Sequence, residues 1–479
     1  MRSRWRPLAA TLVLLLVLVA SGVLWWRVAG GLGPPLADRL EAAISTDRIM
    51  DDLATLQRIT DEGGGSRAAG SAAYLRAADF VAGELRKAGF TVQLDSFTVS
   101  LFGEVGSGSI SVGGTVFHAG VDFRPMIFSP SGQLTGDIVP VDFRADAAPD
   151  SAPRGVGCDP EDLDGTPAGA VLLVQGGGCP ARQIVDNAAE AGAAAIVISY
   201  PAYQVDEVRR PTLRTPDVPI PVVGATHAMG VALDTAARDG QQVTLDFETS
   251  ISQRPAVNVI AETPGGNPDE VVMLGGHLDS VIDGPGINDD GSGTMTVLEI
   301  ARQLAGMDPA RKVRVAFWAA EEIGLYGSFR YTDGLNEGQA DAIEAYLNFD
   351  MLGSGHGVRL VYDDADAAAG SELITDAFED YFTAHDLAWA PENLGGASDH
   401  FSFQLHHIPT GGLFSGASER ASREIADRFG LNPNQQLDGC YHLACDRLDR
   451  INRDLLDQMA HAAAYVTGLL ASGEISPRR

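Results

Sequence analysis

The chain is 479 residues long, with 64 acidic against 34 basic residues and a formal charge of −30. At 45% hydrophobic and 20% charged it has ordinary globular composition, which excludes disorder as its main state. The acidity argues against a nucleic-acid partner, since phosphates need a basic face, and favours cationic ligands and metal ions.

Residues 1–30 stand apart. Arg2, Arg4 and Arg6 precede an apolar run from Leu8 to Trp26. That run is long enough to cross a bilayer as one helix, with the arginine end in the cytoplasm. Ala20-Ser21-Gly22 also offers small residues for cleavage behind a shorter apolar core. A signal anchor and a cleaved signal peptide therefore both stay open. Either one exports the rest, to the outer face of the plasma membrane or as a secreted protein. In an exported chain four cysteines read as disulfides, and we expect the local pairs Cys158–Cys179 and Cys440–Cys445.

Apolar residues at helical spacing predict helices from Ala37 to Ile59 and from Ala72 to Lys87, and Phe90 to Val99 alternates as a strand. From about 117 to 247 short apolar runs at 168–174, 193–199 and 219–223 lie among Gly, Pro and Asp, with a helix over 181–191. After Pro255 the pattern becomes strand, loop and helix: 270–275, a helix over 294–304, then 312–319 and 346–350. Buried strands alternating with helices predict an α/β fold, a mixed sheet with helices on both faces. The organisation is one domain, 31–116 and 248–479, interrupted by a small β-rich insertion at 117–247.

In open α/β sheets ligands bind at the carboxyl ends of the strands. There this sequence concentrates its acids and histidines: Gly276-His277-Leu278-Asp279, Asn288-Asp289-Asp290-Gly291-Ser292-Gly293, Glu321-Glu322, Asp350 and Tyr441-His442. Each piece alone is weak. An Asp-Asp or Glu-Glu pair is usually a solvated helix start, and Asn288 to Gly293 could be a capping turn. An EF-hand reading fails, because Gly286 and Val297 would fill its first and twelfth positions. The conjunction carries more, since so many like charges at one sheet edge repel without a cation. Imidazole mixed with carboxylate suits zinc. Two histidines and three carboxylates exceed one tetrahedral site and fit two ions sharing a carboxylate, with Glu321 as proton acceptor.

These motifs, with Glu321-Glu322-Ile323-Gly324-Leu325-Tyr326-Gly327-Ser328 and Asn348-Phe349-Asp350-Met351, resemble the co-catalytic di-zinc aminopeptidases, relatives of glutamate carboxypeptidase and the transferrin receptor. The resemblance covers about 45–110 and 250–470, and the insertion resembles a protease-associated domain. It implies that His277 and Asp350 hold one zinc, Glu322 and His442 the other, and that Asp289 bridges them. Glu321 becomes the general base and Tyr441 the oxyanion donor, with Asp279 orienting His277 and Asp399 as structural support. It further implies a cis Asp289–Asp290 bond. One departure is Ala397, where some members carry an arginine before Ser-Asp-His. The other histidines, His400 and His406 among them, have no motif support as ligands.

The expected activity is removal of amino-terminal residues from peptides with a free amine. A glutaminyl cyclase, a dipeptidase or carboxypeptidase of the same fold, and an inactive receptor-like protein are the alternatives. G-x-S-x-G and H-E-x-x-H are both missing from the sequence.

Overall fold

The structure, a computed structural model, describes residues 33–145, 156–176, 179–199, 208, 212–365 and 367–478. The apolar run from Leu8 to Trp26 lies outside the described residues. Among those described, no helix is long and apolar enough to cross a membrane.

The predicted helix from Ala37 to Ile59 is two helices, Leu36–Ala43 and Thr46–Glu62. Ser45 makes the break: extended in backbone, it caps the second helix by accepting from the Arg48 N–H. The strand expected at 90–99 runs much further, from Thr91 to Val112. It pairs antiparallel with Gln242–Glu262, from Thr91 opposite Glu262 to Val112 opposite Val243, with one irregularity between Val105 and Ser109. This ribbon carries the chain out of the main sheet into the insertion and back.

Fourteen strands among the described residues form one continuous sheet. In its main part Thr410–Phe414, Ile343–Phe349, Asn267–His277 and Arg311–Trp318 are parallel neighbours, and Gln242–Glu262 joins antiparallel. Side chains alternate along each strand, so one strand serves two cores. Val272 and Leu274 pack with residues of the helices Ala72–Lys87, Gly291–Leu304, Ser371–Ala384 and Arg453–Ser472. Val271 and Met273 face the other way, toward Trp318, Tyr346, Phe403 and Tyr331. Helices thus cover both faces, as the uninterrupted apolar strands required.

The insertion has the expected short strands and the helix expected over 181–191, and adds a second helix, His227–Arg238. Its strands Gly132–Val141, Val171–Gln175, Ala195–Ser199 and Val222–Ala225 run parallel. Helices Ala181–Glu190 and His227–Arg238 cover opposite faces, through Ile184 and Val185 on one and Met229 and Leu233 on the other. Parallel strands need crossovers, and Ala181–Glu190 supplies the one from Val171–Gln175 to Ala195–Ser199, while His227–Arg238 leads back into Gln242–Glu262. Cys158 and Cys179 are bonded here. The insertion's core reaches Ile282 and Ile323 of the main domain, and Ile323 also packs against the main core.

Candidate metal centre

The strand Asn267–His277 delivers His277 at its carboxyl end, and the adjacent Arg311–Trp318 leads to Glu321 and Glu322. On the other side Ile343–Phe349 leads to Asp350. The helix Gly291–Leu304 starts just after Asp289, and Asp290 caps it by accepting from Gly293 N at 2.9 Å. The capping role and a place at the site therefore coexist in one turn. Glycine is needed here for close approach: a Cβ on Gly293 would run into the Phe349 carbonyl, and one on Gly276 into Asp290. Ala320, Met351 and His442 hold positive φ angles of 63°, 59° and 63° beside or at the expected ligands. Such backbone settings concentrate where surrounding structure fixes a functional geometry. The Asp289–Asp290 bond is cis, and Cys440 is bonded to Cys445.

The five expected ligands meet. One Asp289 oxygen lies 3.2 Å from His277 Nε2, and the other lies 3.2 Å from His442 Nε2. Asp350 is 3.5 Å from His277 Nε2, and Glu322 is 3.1 Å from His442 Nε2. Each imidazole thus has its own carboxylate and shares Asp289. Glu321 stands 3.9 Å from His277 Nε2, beyond hydrogen-bond reach. Asp290 also comes within reach of His277 and Asp350, yet its Oδ1 is engaged by Gly293 N and Met351 N at 2.9 and 3.0 Å. Tyr441 stacks on His442 with ring centroids 3.8 Å apart and packs against the apolar cluster around Met351 and Leu437.

The electrostatics are those of a crowded acidic edge. Burial pushes the carboxyls of Asp279 and Asp399 up to about 7. Burial also holds Glu321 well above the usual carboxylate range; Glu322, Asp399 and Asp350 add to this and His277 opposes it. Burial favours neutral His277 and His442, but the facing carboxylates outweigh it and hold both imidazoles well above their ordinary range. Asp289 runs the other way: despite burial, the facing imidazoles of His277 and His442 hold it low. The buried oxygens Asp289 Oδ2, Glu322 Oε1 and Asp350 Oδ1 have no hydrogen-bond donor. Unpaired buried carboxylate oxygens beside imidazole nitrogens fit a divalent cation of the zinc type.

The supporting contacts were less visible in the sequence. His277 Nδ1 faces the Asp279 backbone carbonyl at 3.1 Å, while the Asp279 carboxylate is 3.9 Å away. The carbonyl therefore orients the ring, not the carboxylate as expected; that carboxylate accepts from Glu321 N instead. Ser398 Oγ donates to Asp350 Oδ2 at 2.7 Å and itself accepts from Asn348 Nδ2, leaving Asp350 Oδ1 free toward His277. Sequence reasoning missed Ser398, Arg67, Asp438 and Asp446. Arg67 and Asp438 carry no signal of their own; Ser398 opens the Ser-Asp-His motif but was given no role, and Asp446 directly follows Cys445 beside the His442 loop. Of the histidines set aside, His400 pairs with Asp364 at 2.9 Å and His406 with Asp333 at 3.2 Å.

The sequence profile of peptidase family M28 matches residues 258–467, and that of the PA domain matches 134–233. An aminopeptidase of Pseudomonas aeruginosa is 35% identical over 90% of this chain and 82% of its own. A protein of Mycobacterium tuberculosis named "Probable lipoprotein aminopeptidase LpqL" is 37% identical over 98% of this chain and 95% of its own. Among solved structures, an aminopeptidase from Aneurinibacillus sp. strain AM-1 has the same fold, with TM-score 0.73, 23% identity, and coverage of 91% of this chain and 96% of that one.

Proposed function

The chain belongs to peptidase family M28, and with it to the metallo-exopeptidases; from that premise we propose that it is a two-zinc aminopeptidase. The observation that carries the reading is Asp289, whose two oxygens each face a different histidine with its own carboxylate. His277 and Asp350 would hold one ion, His442 and Glu322 the other, and Asp289 both. Zinc so held supplies Lewis acidity, polarising a peptide carbonyl and making water a nucleophile near neutral pH.

The chain's own groups do the rest. Glu321, close to His277 but bonded to neither histidine, accepts the proton of the attacking water and returns it to the departing amine. Tyr441, stacked on His442, is placed to donate to the developing oxyanion. The acidic edge attracts the substrate's free ammonium, which selects peptides with an unblocked amino terminus. Two disulfides and lipoprotein naming in a close relative support an exported protein, working outside the cytoplasm and either membrane-attached or secreted. The functional unit is the main domain, 31–116 with 248–479, around the insertion at 117–247.

Profiling purified protein on aminoacyl arylamides and their N-acetylated forms, with zinc analysis, tests this. The expected result is two zinc equivalents and turnover of the free-amine substrates alone. Equal turnover of acetylated substrates, or cyclisation of amino-terminal glutamine in place of hydrolysis, would overturn it.

A further inference from the structure

The loop from Leu278 to Asp289, between two expected ligands, has its backbone gripped from both sides by charged residues that are not ligands. Arg67 is fully buried under it. Its side chain donates to the carbonyls of Leu278 at 2.8 Å, Pro285, and Asp289 at 3.5 Å. Asp446, also buried, takes the amides of the same loop's end. Its carbonyl accepts from Ile287 N at 3.3 Å, Oδ1 from Asn288 N at 2.7 Å, and Oδ2 from Asp289 N at 3.1 Å. Three consecutive amides thus close on one residue. The last of them belongs to Asp289.

Asp446 is also the residue after Cys445, so it joins the His442 loop to Asp289. At the other end of that loop Asp438 binds the Asn288 side chain through Oδ2 at 2.7 Å and Cys440 N through Oδ1 at 2.8 Å. The Asn288 side chain in turn accepts from Gly353 N at 3.0 Å, three residues past Asp350. Hydrogen bonds to a buried carboxylate are directional and strong, so they fix backbone orientation and not merely proximity.

We infer that Asp446, with Arg67 opposite it, is a positioning residue that sets the plane of the Asp289 carboxylate, so that one oxygen meets His277 and the other His442. This rests on the two-zinc reading of the site. A carboxylate that shares two ions must present both oxygens at once, and a backbone free to rotate would favour one histidine over the other. Outer contacts of this kind typically change metal affinity about 10–100-fold when removed.

The test is zinc titration of the metal-free full-length protein, with thermal unfolding of the same samples. Asp446→Asn should keep one zinc near wild-type affinity and bind the second about 10–100-fold more weakly. Asp438→Asn, which also loses a buried carboxylate but one that accepts only from the Asn288 side chain and Cys440 N, should lose much less zinc affinity at a similar drop in metal-free Tm. Wild-type zinc affinity in Asp446→Asn, or equal losses in the two variants, would overturn the inference. Should Asp446→Asn not fold, Arg67→Lys decides: it keeps the charge, loses the reach to three carbonyls, and should show the same selective loss. A wild-type protein that binds one zinc overturns the two-ion reading itself, an outcome separate from any of these.

Discussion

The same parallel strands end in opposite ways. At their amino ends buried charge is matched: Arg311, 2% exposed, meets Glu270 at 3.1 Å and Glu344 at 3.5 Å. It also binds the carbonyls of Leu470 and Ile475, at 2.9 and 2.6 Å, and Ser476 Oγ. At their carboxyl ends Asp279, Asp289, Asp290, Glu321, Glu322, Asp350 and Asp399 crowd together, and the nearby buried guanidinium, Arg67, spends its donors on carbonyls. One end is built for stability. The other keeps carboxylate oxygens unpaired, which costs stability unless a cation binds there.

The largest effect that would test the contrast comes from Glu321. Glu321→Gln keeps shape and zinc but removes the proton acceptor, so kcat should fall about 10²–10⁴-fold with KM little changed. Glu322→Gln should instead weaken one zinc, measured by elemental analysis after dialysis. Equal zinc loss in both, or a near-normal kcat for Glu321→Gln, would mean that the adjacent acids have been given the wrong roles.

At the opposite end, Arg311→Ala removes the buried guanidinium that faces Glu344 and binds the Leu470 and Ile475 carbonyls, and should cost about 3–5 kcal/mol in denaturant unfolding. Turnover per folded molecule should stay at the wild-type value, because nothing at Arg311 touches the site. A fall in kcat of folded protein would break the division between the two ends.

Ser398→Ala should have a smaller effect. It frees Asp350 Oδ2 from its 2.7 Å hydrogen bond, and zinc affinity should drop about 10–100-fold by titration. The least should come from Cys440→Ala with Cys445→Ala. The bond closes a separation of only 5 residues, so chain entropy gives it about 2 kcal/mol, and the expected loss is mainly in how well His442 is placed. Because Asp438 and Asp446 brace the same loop, we expect the double variant to retain measurable zinc binding.

The sequence carried the α/β class, the helices on both faces and the convergence of the acids and histidines, because strand periodicity and strand-end motifs are local signals. It did not carry the supports. Arg67 acts across 222 positions on Asp289, and Asp446 across 157, through backbone atoms that any residue type supplies. The break at Ser45 was hidden because apolar spacing continues across it. In the insertion the helix over 181–191 was legible and His227–Arg238 was not.

Ile323 has a consequence for the evolution and engineering of this chain. It follows Glu322 directly and packs at once into the core of the insertion and into that of the main domain, with Ile282 beside it in the former. The insertion is therefore no detachable cassette. Excising it would bare two isoleucines next to an expected ligand, and a minimal enzyme cut down to the main domain would need new apolar partners for both before its metal edge could keep its shape.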